Sequence, residues 1–139
     1  MTFNKQADEI LSRRFSTGKL IALATSMDNK PYVRAVNAYY ENGTFYVMSK
    51  ASTGKMKQME LNPEVALCGE LFNGRGIAEN IGHVLKDEHK ELMKTLRIAL
   101  AEWYEYGKVD ENDPDNVILA IKLTEAGVIE DGVMHQLFI

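Results

Sequence analysis

Cysteine, proline and histidine are scarce in this chain: one, three and three residues among 139. With Cys68 alone, no intrachain disulfide can staple the fold. The residue alternates with Ala66 and Glu70 and reads as a small core residue rather than a nucleophile. His83, His89 and His135 lack metal-ligand spacing, so no metal site is expected, and no Ser-His-Asp arrangement can be argued. Long apolar runs are missing as well. Leu20–Ala24 stops at Thr25, far short of the roughly 18 residues of a membrane span. Charged residues follow Met1–Lys5 where a signal peptide would place its apolar core, and a cytoplasmic location is expected. Positive charge is not in surplus: the formal net charge is −4, which argues against a general nucleic-acid binder. No repeat or low-complexity linker divides the chain, so residues 1–139 read as one domain.

What is present is a series of short strand-like runs with a few helices. Asn4 to Phe15 carries Ala7, Ile10 and Leu11 at helical spacing, with Gly18 as its break. Strands are expected at 19–26, 32–40 and 44–49, joined by turn chemistry at Asp28–Pro31 and at Asn42-Gly43, a dipeptide suited to a tight hairpin. A helix over 52–61 ends at Asn62-Pro63. Strands follow at 65–71 and 76–84, with a turn at Asn73-Gly74 between them. One long helix is expected over 87–104, its buried stripe built from Leu92, Leu96, Ala99, Leu100 and Trp103. Two short strands, 117–123 and 128–130, close the chain. Long crossover helices are missing, which leaves an α+β fold, mainly antiparallel, or a small barrel.

Two places have unresolved electrostatics. Ser49–Lys55 leads into a helix whose start exposes free N–H groups and the positive end of the dipole. Lys50, Lys55 and Lys57 are badly placed there unless an anion is bound, and Ser49, Ser52 and Thr53 add hydroxyl donors. This is no Walker loop, because Ser49 and Met56 break its pattern. A solvated turn capped by Ser52 explains the same residues, and spacing alone favours it somewhat. The second place is Arg34. Period-two alternation puts it on the face of Tyr32, Val36 and Ala38, where a cation needs a counter-charge or solvent. A ligand phosphate or Glu70 would serve equally. Asn37 falls on the opposite face, where its amide suits either a heterocycle edge or an ordinary strand contact.

The ordered series Leu23-Ala24-Thr25, Pro31–Val36, Gly43–Ser49, Lys55, Asn62–Leu67 and Gly76-Ile77-Ala78 resembles the FMN-binding split-barrel proteins related to pyridoxamine 5′-phosphate oxidase. Their small stress-protein-like members are the nearest in pattern. The resemblance spans about residues 5 to 130 and implies a split β-barrel with peripheral helices, FMN as cofactor, and a homodimer with the flavin at its interface. It implies that Arg34 and Lys55 bind the FMN phosphate. It further implies that Ala35, Val36, Asn37, Met48 and Ser49 border the isoalloxazine, and that Lys50 and Thr53 belong to the same binding segment. Many relatives carry Arg immediately before the matching Lys. This chain has Gly54, so that contact is missing or supplied by Lys50. The oxidase's substrate-binding Arg and His find no counterpart in residues 128–139, so pyridoxamine phosphate oxidation is not expected. The implied function is a flavin-dependent oxidoreductase using a small-molecule electron donor or acceptor. The rivals are a non-catalytic flavin-binding stress protein, and the same fold holding deazaflavin or haem, with His83 as the one tempting axial ligand. The resemblance also loosely assigns Leu71–Gly74 and Trp103 to the partner's side of the pocket.

Overall fold

The computed structural model describes residues 2–107 and 109–139. Helix α1 (Lys5–Arg14) starts where the Asn4 side chain accepts the Gln6 N–H, and it buries Ala7, Ile10 and Leu11. Strands β1 (Lys19–Met27), β2 (Lys30–Glu41) and β3 (Thr44–Lys50) then form a meander. Both connections are two-residue turns with positive φ at both positions: Asp28 at 52° with Asn29 at 61°, and Asn42 at 47° with Gly43 at 86°. Short polar residues tolerate that region, and its twist matches the strands. Helix α2 (Gly54–Leu61) leads to β4 (Glu64–Gly69) and β5 (Phe72–His83). A 3-10 turn at Asp87–His89 precedes α3 (Lys90–Ala99) and α4 (Ala101–Gly107). The long β6 (Asn116–Glu130) and β7 (Val133–Gln136) end the chain.

The sheet order is β3-β2-β1-β4-β5-β6-β7, and β3 also pairs with β6. That extra pairing closes β1 to β6 into an antiparallel barrel, with β7 added along the second half of β6. The barrel interior is apolar and aromatic. Phe15, Tyr40, Phe45 and Phe72 stack edge-on or tilted at centroid separations of 5.2 to 5.7 Å. A second cluster lies outside the barrel wall, where Met93, Leu96 and Leu100 pack on Met48, Val84 and Ile118. It anchors α3 over β3 and β6, and so places α4 beside the end of β3.

Four expectations need correction. The turn expected at Asn73-Gly74 lies instead at Glu70-Leu71, with Leu71 at φ 53°. Asn73 and Gly74 are in β5 because the strands crowd there: a Cβ on Gly76 would sit 2.6 Å from the Lys122 carbonyl, and one on Gly74 3.0 Å from the Glu125 carbonyl. These glycines permit close strand approach at a register shift rather than a turn. The single helix over 87–104 is broken at Leu100, whose φ and ψ of −104° and 26° end α3. The two last strands expected at 117–123 and 128–130 are one continuous β6, and β7 was not foreseen. Cys68 is exposed, because it faces outward beside Ala22 rather than into the core.

Candidate functional site

Arg34 sits mid-β2, directly across from Leu23 of β1, with its side chain on the barrel-facing side. Its guanidinium is held entirely by neutral oxygens. One terminal nitrogen donates to the Leu23 carbonyl (3.1 Å) and to Thr25 Oγ1 (2.8 Å), and the other donates to Gln58 Oε1 (2.7 Å). Thr25 in turn donates to Gln58 Oε1 at 2.6 Å. Both Thr25 and Gln58 are buried. Glu70 is not among its partners, and among the described residues no carboxylate pairs with Arg34. An arginine has five N–H donors, so two remain for an acceptor from outside. Burial pulls its pKa below the ordinary arginine value.

Lys55 stands in the first turn of α2, a turn with no acidic residue to balance the helix dipole. Its pKa is lowered first by burial and then by the nearby Arg34 charge. Two cations thus lie close enough to repel each other, and among the described residues neither pairs with a carboxylate. Lys50 differs: it turns to Asp113, forming an ion pair of 2.5 Å that holds the Asp113 carboxyl below its usual range. The Ser52 hydroxyl and N–H both bind the Asp115 carboxylate, at 2.6 and 3.1 Å. Ser52 therefore does not cap α2, and the anion it binds is the Asp115 carboxylate of the chain itself. Thr53 is the N-cap residue, but its hydroxyl donates to the Lys50 carbonyl (2.9 Å) and leaves the first N–H groups of α2 without a side-chain cap.

Beside Lys55 opens a cavity of about 330 Å³ bounded by Met48, Ser49, Thr53, Trp103 and Val109. Lys50 and Asp110 also line it, whereas Arg34 does not. Trp103 of this chain's own α4 lines the cavity. The α4 segment is tied to the loop after it by Glu111, which accepts from Tyr104 (2.5 Å) and from Arg97 at 2.9 and 3.0 Å. The Arg97 guanidinium keeps the Glu111 carboxyl below its usual range.

Of the residues expected to border a ring, Met48 and Ser49 line this cavity. Val36 is buried in the barrel core, and Ala35 faces outward on the opposite side of the sheet. Asn37 lines a separate open groove of about 560 Å³, next to Leu20 and Tyr106, whose wall shares Trp103. His83 is committed on both nitrogens. Nδ1 accepts the Leu85 N–H (3.2 Å), which leaves Nε2–H to donate to the Asp113 carbonyl (3.0 Å). It offers no free nitrogen to an iron. Sequence reasoning missed Thr25 and Gln58. The signal for Gln58 was its spacing of three from Lys55, which puts both on one helix face.

No protein-family profile and no curated protein sequence matches the chain. Solved structures do. General Stress Protein 26 from Bacillus anthracis is 19% identical and superposes with a TM-score of 0.66, covering 96% of this chain and 98% of its own. A FAD-binding protein from Mesorhizobium loti is 18% identical, with a TM-score of 0.65 over 84% of this chain and 90% of that one. A putative pyridoxamine 5′-phosphate oxidase from Listeria innocua is 16% identical, with a TM-score of 0.63 over 89% and 98%. The fold is the split barrel. At these identities the likeness establishes the architecture alone. Split barrels with this topology also include an F420 reductase and a heme binding protein from Mycobacterium smegmatis, so the fold does not choose a cofactor.

Proposed function

We propose that this split barrel binds FMN, with the phosphate between Arg34 and Lys55 and the ring system in the cavity beside Met48 and Trp103. The observation that carries the reading is the pair of cations, neither of which has a carboxylate partner among the described residues. A terminal phosphate monoester carries a charge between −1.5 and −2 near neutral pH, which matches two cations focused on one point. A flavin dinucleotide instead spreads single charges over two phosphates. Haem is disfavoured because His83 has no free nitrogen. Thr53, Ser49 and the free N–H groups of α2 supply further donors on the cavity wall, and Lys50, bound to Asp113, is a peripheral contributor. Ala35, Val36 and Asn37 contribute through the strand that carries Arg34 rather than as cavity walls.

FMN supplies hydride and single-electron exchange at its ring when bound. The chain's part is to hold the phosphate, shape an apolar slot and exclude water from it. On this reading the protein is a single-domain cytoplasmic oxidoreductase with a small-molecule electron donor or acceptor. It acts as a homodimer. Support for the dimer comes from the outer face of β1, β2 and β4: Leu20 and Val33 are each 70% exposed and sit among Ala22, Ala24, Ala35 and Cys68. A contiguous apolar sheet face of this kind marks an association surface.

The test uses the chain's single tryptophan, Trp103, which lines the proposed ring slot. FMN titration should quench Trp103 emission and give a flavin absorption band on the isolated complex. The variant Arg34→Ala with Lys55→Ala should lose FMN binding while retaining its fold by circular dichroism. Unchanged FMN affinity in that variant rejects the phosphate site. NAD(P)H turnover by the FMN complex separates an oxidoreductase from a flavin-storing protein.

A further inference from the structure

We infer that Thr25 and Gln58 are positioning residues that set the phosphate-binding strength of Arg34 by anchoring it with neutral oxygens; this rests on the phosphate site proposed above. Two buried polar side chains in an apolar barrel need an explanation. The Gln58 amide oxygen and the Thr25 hydroxyl are engaged with each other and with Arg34. Gln58 Oε1 accepts from Thr25 (2.6 Å) and Arg34 (2.7 Å), while Thr25 Oγ1 accepts from Arg34 (2.8 Å) as it donates to Gln58. The Leu23 carbonyl completes the set at 3.1 Å.

The geometry does two things. It fixes one side of the guanidinium plane against β1 and α2, so the two remaining N–H donors keep one direction and an anion pays little to order them. It also leaves the positive charge unneutralised. A carboxylate at either position would orient the guanidinium equally well but would satisfy it internally, in competition with an incoming phosphate. Gln58 differs from such a carboxylate, glutamate, only in carrying an amide NH2 where the acid has an oxygen. The choice of amide over acid at this position is therefore what makes Arg34 an anion receptor instead of half of a structural ion pair. Because Gln58 and Lys55 lie one turn apart on α2, the same helix that brings the second cation also brings the anchor of the first.

The experiment compares FMN and riboflavin, which lacks the phosphate, by Trp103 quenching, alongside the thermal midpoint of each protein without ligand. Gln58→Glu should raise the unliganded midpoint and weaken FMN binding by about tenfold or more, since a charge-assisted bond now competes with the phosphate. Riboflavin binding should stay as in the parent. Opposite signs for stability and FMN affinity are what a merely structural glutamine does not produce. Thr25→Val should weaken FMN about tenfold, with Thr25→Ser, which keeps the hydroxyl, restoring it. If the parent binds FMN no better than riboflavin, the phosphate site itself is wrong. If the parent prefers FMN and Arg34→Ala removes the preference, but Gln58→Glu and Thr25→Val leave it intact, the site stands and the positioning role falls. Should Gln58→Glu fail to fold, the Thr25 pair decides alone: equal FMN affinity in the Val and Ser variants overturns the inference.

Discussion

Replacing Gly54 by Arg should tighten FMN binding about tenfold, and the structure shows why the gain is not cancelled elsewhere. Gly54 is the first residue of α2, next to Lys55, and a Cβ built on it meets nothing within 4 Å. The side chain therefore enters solvent at the helix start without a clash, and φ there is ordinary. In the unliganded protein two small effects oppose each other. Removing glycine from a helix gains up to about 1 kcal/mol, while a cation at the N-terminus, already poor in acid, costs about 0.3 to 1 kcal/mol. The thermal midpoint without FMN should hardly move. With FMN bound, one charge-assisted hydrogen bond contributes about 1.5 to 3 kcal/mol, less roughly 1 kcal/mol for ordering the long side chain. The remainder, about 1.4 kcal/mol, is a factor of ten in Kd. The assay is a titration of FMN against Trp103 emission at two salt concentrations, with riboflavin as control. The variant should show a steeper loss of affinity with salt, because one more exposed charge is screened. Unchanged or weaker FMN affinity, or an equal gain for riboflavin, would refute the placement of the phosphate at the start of α2.

Two further outcomes follow from the same structure. The Lys55 pKa is lowered in the folded protein, so between that value and the ordinary 10.5 the unfolded chain binds more protons than the folded one. Unliganded stability should therefore rise with pH through that alkaline window while FMN affinity falls as Lys55 loses its charge. Urea titrations and FMN titrations at stepped pH check both signs, and Lys55→Gln should abolish the difference. Ala35→Glu places a charge on the exposed apolar sheet face opposite Ala22, and sedimentation should show a monomer where the parent sediments as a dimer.

Local chemistry made much of the barrel readable. Asn42-Gly43 names its turn type because only residues at ease with positive φ fit there. Asn4 marks the start of α1 by its cap, and the burial of Ala7, Ile10 and Leu11 follows from their spacing. The failures come from contacts distant in sequence. Gly74 and Gly76 carry the same signal whether they make a turn or let two strands approach, and only the position of β6 decides. Leu71 gives no warning that it adopts φ 53°. At the site, the isolation of Arg34 and Lys55 from carboxylates depends on where Asp113 and Asp115 fall. These two occupy Lys50 and Ser52 from 63 positions away. The neutral cradle of Thr25 and Gln58 likewise needs β1 and α2 to meet. Trp103 was visible as an amphipathic-helix residue, but its place in the cavity depends on the break at Leu100.

The double pairing of β6 has a consequence for how the molecule is made. From Val117 to Lys122 this strand is bonded to β3 on one side and β5 on the other, and it carries Ile118, Leu119 and Ile121 into complete burial. A ribosome that has released only the first 115 residues has produced two sheet edges without their common neighbour, and a core without its central wall. Unpaired edges of that length invite association with other chains. Successful folding therefore depends on rapid capture of β6, and a product that stops before Asn116 should be cleared or precipitate rather than persist as a smaller, weakened version of the fold.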